Sequence, residues 1–172
     1  ALAMGTETGN GGDGLVCYNP NGRIKSVRLL DFYESIKLKR IKKLDLGPDH
    51  LDYKQKVHYV LDRVEKINPT RANLYRKWFS TFFSEEEFRW GDKLVNIADT
   101  GVLDYPENCE VEQIAAQQEP EFEGDKRYTI RKKTWKKMDP RHRAGLILHE
   151  LVYREAKAEK VCYDAGESTR CE

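Results

Sequence analysis

The sequence predicts an α+β fold, in which an N-terminal hairpin and helices pack with a small, mostly antiparallel sheet and a long C-terminal helix. Two changes in hydrophobic spacing carry this prediction. The spacing turns from alternating to helical near Leu29, and it returns to short strand-like runs after about Trp90. Elements of one kind therefore follow one another, which favours α+β layering over a parallel α/β sheet.

Turn and cap residues delimit the elements in the first half of the chain. Asn19-Pro20-Asn21-Gly22 is typical of a hairpin turn. Asn68-Pro69 ends a helix, because the residue before a proline avoids the helical conformation. The predicted elements are strands at Leu15–Tyr18 and Arg23–Val27, then helices from Leu29 to Gly47, from Leu51 to Ile67 with Asp49 as cap, and at Arg71–Phe83 with Thr70 as cap.

Strand-like runs and turn-rich joints alternate in the second half. Asp139-Pro140 then opens the last helix, with aspartate at the cap and proline in the first turn. The predicted elements are strands at Lys93–Ile97, Cys109–Gln117 and Arg127–Lys133, followed by a helix from Pro140 to about Lys160.

Length and composition limit the domain organisation and the partners. The 172 residues predict one domain, 15–172, preceded by a flexible Gly-rich arm, 1–14, which has little to bury. The 30 Lys and Arg nearly balance the 29 Asp and Glu, which argues against a nucleic-acid binder with its basic excess. No stretch approaches the roughly 20 apolar residues of a transmembrane segment. The composition leaves the oligomeric state open.

The cysteines and the N-terminus favour an exported protein. No Cys-x-x-Cys pair occurs among Cys17, Cys109, Cys162 and Cys171, so a structural zinc knuckle is not expected, and three disulfide connectivities are open. A bridge between Cys162 and Cys171 would leave Cys17 with Cys109; four reduced thiols are the alternative. Ala1-Leu2-Ala3 resembles the end of a signal peptide. Since disulfides persist in oxidising compartments, we expect a periplasmic or secreted protein.

The last helix is the main candidate for chemistry. At about 100° per residue, His149 and Tyr153 lie roughly opposite its core face. Glu155 falls within the core face and so requires a partner, for which Arg170 or backbone N–H groups of the arm are candidates. The core face is expected to hold Ala144, Ile147, Leu148, Leu151 and Val152, and the water-facing side Arg143, Glu150, Arg154 and Lys157.

This helix is similar to the active-site helix of zincin metallopeptidases, which carries His-Glu after a strand and a short joint. The resemblance implies that His149 is a zinc ligand and that Glu150 is the general base that activates water. Tyr153 stands where that family has its second histidine, and a third ligand would come from Glu155, Asp164 or Glu167. The implied activity is zinc-dependent hydrolysis of peptide or cell-wall bonds, with Glu150, His149 and Tyr153 as catalytic residues.

The wider pattern resembles a group of exported bacterial proteins of unknown function from predatory and related Gram-negative bacteria. The residues that carry this resemblance are Gly9–Asp13 with Cys17, Leu29–Glu34, Cys109–Ala115, Trp135, Ala144–Glu155, and Ser168 with Arg170. The resemblance implies export. It also suggests that the arm, the polar residues of the last helix and Arg170 assemble as one polar site.

A non-enzymatic envelope protein is the alternative to a hydrolase. In that case Glu155, Arg154 and Arg170 belong to a buried polar network that fixes the fold. Glu150 and Arg154, four residues apart, would form an ordinary ion pair on the helix surface. His149 would hydrogen-bond to a neighbouring loop.

Two further motifs are given less weight. A binding module would use an exposed aromatic or basic surface, for which Trp78-Phe79 and Lys132-Lys133 with Trp135 are candidates, although a core position explains them as well. Asp99-Thr100-Gly101 matches the aspartic-protease triplet. That chemistry needs a second aspartate opposite, and the triplet occurs once, so a strand-to-turn joint is favoured.

Overall fold

A computed structural model describes residues 12–37, 44–91, 94 and 104–158, together with the backbone of 162–165 and 168–171. Its strands are β1 (Asp13–Tyr18), β2 (Ile24–Leu29), β3 (Glu86–Arg89), β4 (Cys109–Gln113), β5 (Ala115–Gln117), β6 (Tyr128–Arg131), β7 (Cys162–Ala165) and β8 (Ser168–Cys171). Its helices are α1 (Leu30–Lys37), α2 (Tyr53–Glu65), α3 (Pro69–Phe82), α4 (Lys132–Lys137) and α5 (Pro140–Ala158). This order confirms the predicted α+β class and the long C-terminal helix.

Two three-stranded sheets meet where β4 passes into β5. The first sheet has the order β2-β1-β4 and is antiparallel throughout. The second has the order β3-β6-β5, in which β3 and β6 are parallel and β5 and β6 are antiparallel. The single strand predicted at Cys109–Gln117 is therefore wrong, because the chain leaves one sheet at Ile114 and enters the other. Ile114 is fully buried, and its carbonyl accepts the amide of Arg131 at 3.0 Å.

The start of the domain lies earlier than predicted. Gly12 is buried and β1 begins at Asp13, so the arm predicted for residues 1–14 is wrong at 12–14, whereas residues 1–11 lie outside the described part. These small residues have little apolar surface, but their backbone groups are well satisfied. The Gly12 carbonyl accepts the amides of Ile114 and Ala115 at 3.0 and 3.1 Å. β1 then pairs with a strand on each side.

Helix caps correct two predictions and confirm a third. Asp52, and not Asp49, caps α2 in a reciprocal capping box with Gln55. Asn68, and not Thr70, caps α3, where its side chain accepts the amide of Arg71 at 3.0 Å. Asp139 accepts the amide of His142 at 2.9 Å, so α5 begins at Pro140 as predicted.

The segment after β6 is helical where a strand was predicted. The predicted strand Arg127–Lys133 ends at Arg131, where α4 follows. Two residues of α4, Thr134 and Trp135, are buried. β3 was not predicted. The predicted strand Lys93–Ile97 lies outside the described residues apart from Leu94, and Asp99-Thr100-Gly101 lies entirely outside them.

Helix α5 is packed into the core. Ala144, Leu146, Ile147 and Leu151 have no exposed surface, and a Cβ on Gly145 would lie 2.4 Å from Cζ of Phe32, so a larger side chain would collide there. Among the helices that the structure describes, none combines the length and apolar character needed to cross a bilayer.

Candidate functional site

Glu150 is the most deeply buried polar residue of α5, with no exposed surface. One carboxylate oxygen, Oε1, accepts the amide of Gly12 at 2.8 Å. The other, Oε2, accepts Nε2 of Gln117 at 2.9 Å, and the same nitrogen lies 3.0 Å from the Glu150 carbonyl oxygen. The expectation that Glu150 faces water is therefore wrong. The reason is that Gly12 and β5 supply donors on the side of α5 that a helical wheel assigns to solvent.

Gly12 brings backbone against α5 at a distance that only glycine permits. A Cβ at this position would lie 2.2 Å from Cδ1 of Leu146 and 3.4 Å from Oε1 of Glu150. The backbone at Gly12 thus packs directly on the helix. Since the Gly12 amide binds Glu150 and its carbonyl binds the β4–β5 junction, Glu150 is linked through one residue to both sheets.

His149, next to Glu150, points to a different partner. Its Nδ1 lies 2.7 Å from Oδ2 of Asp31 in the first turn of α1, and the two side chains are 27% and 49% exposed. Burial lowers the pKa of His149, but the hydrogen bond and charge of Asp31, with the charges of Glu150 and Asp13, outweigh it and raise that pKa to about 9. For Asp31, burial acts to raise the pKa, whereas His149 lowers it below the ordinary value. The two form an ion pair at neutral pH.

Tyr153 lies one turn beyond His149 and belongs to the packed part of the helix. Its ring is 8% exposed and stacks on the His149 ring, with 6.3 Å between the ring centres and 18° between the planes. Val152, which was expected in the core, is 52% exposed, and that expectation is wrong. The buried side of α5 thus extends to Glu150 and Tyr153, and Gly12 and β5 contact the helix at Glu150.

Glu155 has the partners that its place on the helix requires, and they come from α3. The Tyr75 hydroxyl donates a hydrogen bond to one oxygen of Glu155, and Nε of Arg71 lies 3.1 Å from the other. Burial and the hydrogen bond to Glu155 raise the pKa of Tyr75. The sequence did not indicate these two partners. Arg170, the predicted one, has its backbone in β8 opposite Tyr163, and its side chain lies outside the described residues.

Arg154 joins a separate group of charges on the β6 side of α5. Its Nη1 lies 3.2 Å from Oε2 of Glu85 and 3.3 Å from the Tyr128 hydroxyl, and its guanidinium lies 4.7 Å from the Trp78 ring centre. The same Glu85 oxygen accepts Nε of Arg127 at 3.0 Å. The predicted ion pair between Glu150 and Arg154 is wrong, because Glu150 turns into the core and Arg154 turns to Glu85.

The cysteine prediction is confirmed at one bridge. Cys17 and Cys109 form a disulfide between β1 and β4, where the strand register places them directly opposite each other. Cys162 and Cys171 are opposite each other in the backbone register of β7 and β8. Their side chains lie outside the described residues, so the second bridge stays a prediction.

The described residues do not assemble a zinc site around His149. Within them, no group of three or more His, Cys, Asp or Glu side chains is arranged to hold a metal ion. Glu155 is held by Tyr75 and Arg71, and Glu150 by Gly12 and Gln117. The side chains of Asp164 and Glu167, the other predicted third ligands, lie outside the described part.

Sequence reasoning missed Asp31 and Gln117 as partners of the two α5 residues. Asp31 belongs to one of the segments that carry the resemblance to exported proteins, but its link to His149 spans 118 positions. Gln117 ends a short strand and was assigned no role. Fully buried glutamine in a strand is a signal for an internal partner, yet the burial itself emerges only from the packed sheet.

No family model, no curated protein and no solved structure matches this chain.

Proposed function

We propose that this chain is an exported envelope protein without hydrolase activity, in which the polar residues of α5 fix the fold through separate buried and half-buried contacts to Gly12, β5, α1 and α3. The observation that carries the proposal is the state of Glu150. A general base must touch the water that it activates. Glu150 has no exposed surface, and each of its carboxylate oxygens already accepts a protein donor.

The ion pair of His149 supports the same function. A histidine binds metal as the neutral ring, so a ligand must lose its proton first. With its pKa raised to about 9 by Asp31, Glu150 and Asp13 against the effect of burial, His149 keeps that proton at neutral pH. Its charge then serves to hold α5 against α1.

The disulfide supports export. A bridge between Cys17 and Cys109 joins two strands of one sheet. Such bridges persist in oxidising compartments and are rare in the cytosol. A periplasmic or secreted location fits this chemistry.

A zincin-like hydrolase of peptide or cell-wall bonds is the alternative, and one feature favours it. In zinc enzymes, a carboxylate that accepts a hydrogen bond from Nδ1 of a ligating histidine orients the ring so that Nε2 faces the metal. Asp31 stands in that relation to His149 at 2.7 Å.

Metal analysis separates the two functions. We expect the purified protein to hold no stoichiometric zinc by elemental analysis, and added zinc to leave the His149 NMR signals unchanged at neutral pH. The same NMR titration should give a pKa near 9 for His149, returning toward the ordinary value in Asp31→Asn. Near-stoichiometric zinc that is lost in His149→Ala, but kept in the exposed control His50→Ala, would overturn the proposal.

A further inference from the structure

A surface formed by β3, the adjoining Trp90 and α4 carries exposed and half-buried aromatic and basic side chains. We call it the β3–α4 face and define it by Phe88, Trp90, Lys132, Lys133, Lys136 and Lys137. Trp90 is 57% exposed, so much of this large apolar side chain faces solvent. None of these residues contributes to the α5 site, so the face can be judged independently of the proposed function.

Helix α4 turns its lysines outward because two other residues anchor it. Thr134 and Trp135 are buried, whereas Lys133, Lys136 and Lys137 are exposed and Lys132 is half-buried. The helix carries no acidic residue. Four positive charges are therefore concentrated on a chain whose overall charge is only +1.

The lysines and the aromatic rings of the face are in contact. Nζ of Lys132 lies 4.0 Å from the Phe88 ring centre, and Nζ of Lys136 lies 4.4 Å from the Trp90 ring centre. Cation–π contacts of this kind place positive charge directly beside apolar surface. Burial raises the pKa of Glu86 to about 7, against the charges of Lys132, Lys54 and Lys126, so this β3 carboxylate is only partly ionised at neutral pH and offsets only part of the positive charge.

We infer that the β3–α4 face docks on the surface of an anionic lipid bilayer. Lysines near such a surface are attracted to its lipid headgroups. Tryptophan combines an apolar ring with a polar N–H and so suits the boundary between headgroups and acyl chains, and Trp90 is 57% exposed. The face thus offers charge complementarity and an apolar anchor to the same partner.

The lysines that lie over the Trp90 ring favour a bilayer over ligands that would stack on that ring. A sugar ring or a nucleic-acid base would need an open aromatic face. Lys136 lies over the Trp90 ring at 4.4 Å, and Lys132 lies 5.9 Å from the same centre. A bilayer needs no stacking on the ring, and more than half of the Trp90 surface stays exposed beside these lysines.

Vesicle co-sedimentation with the full chain tests this inference. Vesicles of phosphatidylcholine mixed with phosphatidylglycerol should bind the protein, and vesicles of phosphatidylcholine alone should bind it far less, with added salt weakening the difference. The triple variant Lys133→Ala, Lys136→Ala and Lys137→Ala should lose roughly tenfold or more in affinity. Trp90→Ala should also weaken binding, and circular dichroism should show that it folds, since its side chain is mostly exposed.

A matched control removes the same charge elsewhere. The triple variant Lys37→Ala, Lys66→Ala and Lys77→Ala changes three exposed lysines that are not part of the face, and it should bind vesicles as the unchanged protein does. If the two triple variants lost the same vesicle affinity, binding would depend on net charge alone, and the inference would be overturned. Binding to a soluble anionic glycan or to single-stranded DNA, without binding to the mixed vesicles, would also overturn it.

Discussion

Two glutamates, Glu150 of α5 and Glu86 of β3, show that burial alone does not determine what a carboxylate does. Glu150 has no exposed surface, and two protein donors occupy its two oxygens. Glu86 is only half-buried, but its buried Oε2 receives no hydrogen bond from the described residues. Burial raises the pKa of Glu86 to about 7 despite three lysines that act to lower it. The deeper carboxylate is thus the better stabilised one, because its donors replace water.

The largest expected effect is the loss of the Glu150 carboxylate. Glu150→Ala would leave the Gly12 amide buried without its acceptor, and Nε2 of Gln117 would keep only the main-chain carbonyl of residue 150. We expect the free energy of unfolding to fall by about 3–5 kcal/mol, measured by urea denaturation. The exposed control Glu123→Ala should change it by less than about 0.5 kcal/mol. A loss below about 1 kcal/mol at Glu150 would show that the carboxylate is hydrated and would reopen its role as a base.

A smaller effect is expected at Glu155, which lies between the two cases. Its side chain is 19% exposed, and Tyr75 and Arg71 both bind it. Because the Arg71 side chain is 52% exposed, water screens that ion pair, and most of the stabilisation comes from the hydroxyl of Tyr75. Glu155→Ala should therefore cost about 1–2 kcal/mol.

A double-mutant cycle with Tyr75→Phe isolates that hydrogen bond. Once Tyr75 is phenylalanine, the further change at Glu155 should cost less than it does alone, because the shared contact is already absent. Strictly additive changes in the free energy of unfolding would contradict the contact and place the stabilisation elsewhere on the helix.

The sequence predicted what local chemistry determines. Asp139-Pro140 is a helix start by its own cap and ring geometry, and α5 begins there. Asn19-Pro20-Asn21-Gly22 likewise lies between β1 and β2, with Gly22 at a φ of 74°. The disulfide between Cys17 and Cys109 was one of the open connectivities, and strand pairing selects it.

The environment of Glu150 was beyond sequence reasoning for a physical reason. A helical wheel places a charged residue outward unless donors for it are known. The donors here lie 138 and 33 positions away in the chain, and one of them is a backbone amide that any residue but proline has. The same limit applies to α4. Four of its six residues are lysines, and only the packed structure shows that Thr134 and Trp135 are buried and anchor the helix.

The smallest expected effect, at Glu86, has the opposite sign to that at Glu150. Since the pKa of Glu86 rises from 4.5 to about 7 on folding, chiefly through burial, the folded state binds this proton more tightly than the unfolded chain does. The resulting stabilisation is fully present below pH 4.5 and is lost as the pH rises through about 7. The Glu86→Gln variant does not lose stability in this way, because glutamine does not ionise. Its stability relative to the unchanged protein should therefore improve by about 1 kcal/mol between pH 4.5 and pH 8, a value reduced for the exposure of the side chain. Urea denaturation at both pH values measures the change, and a difference that does not vary with pH would show that Oε2 finds a donor or water in solution.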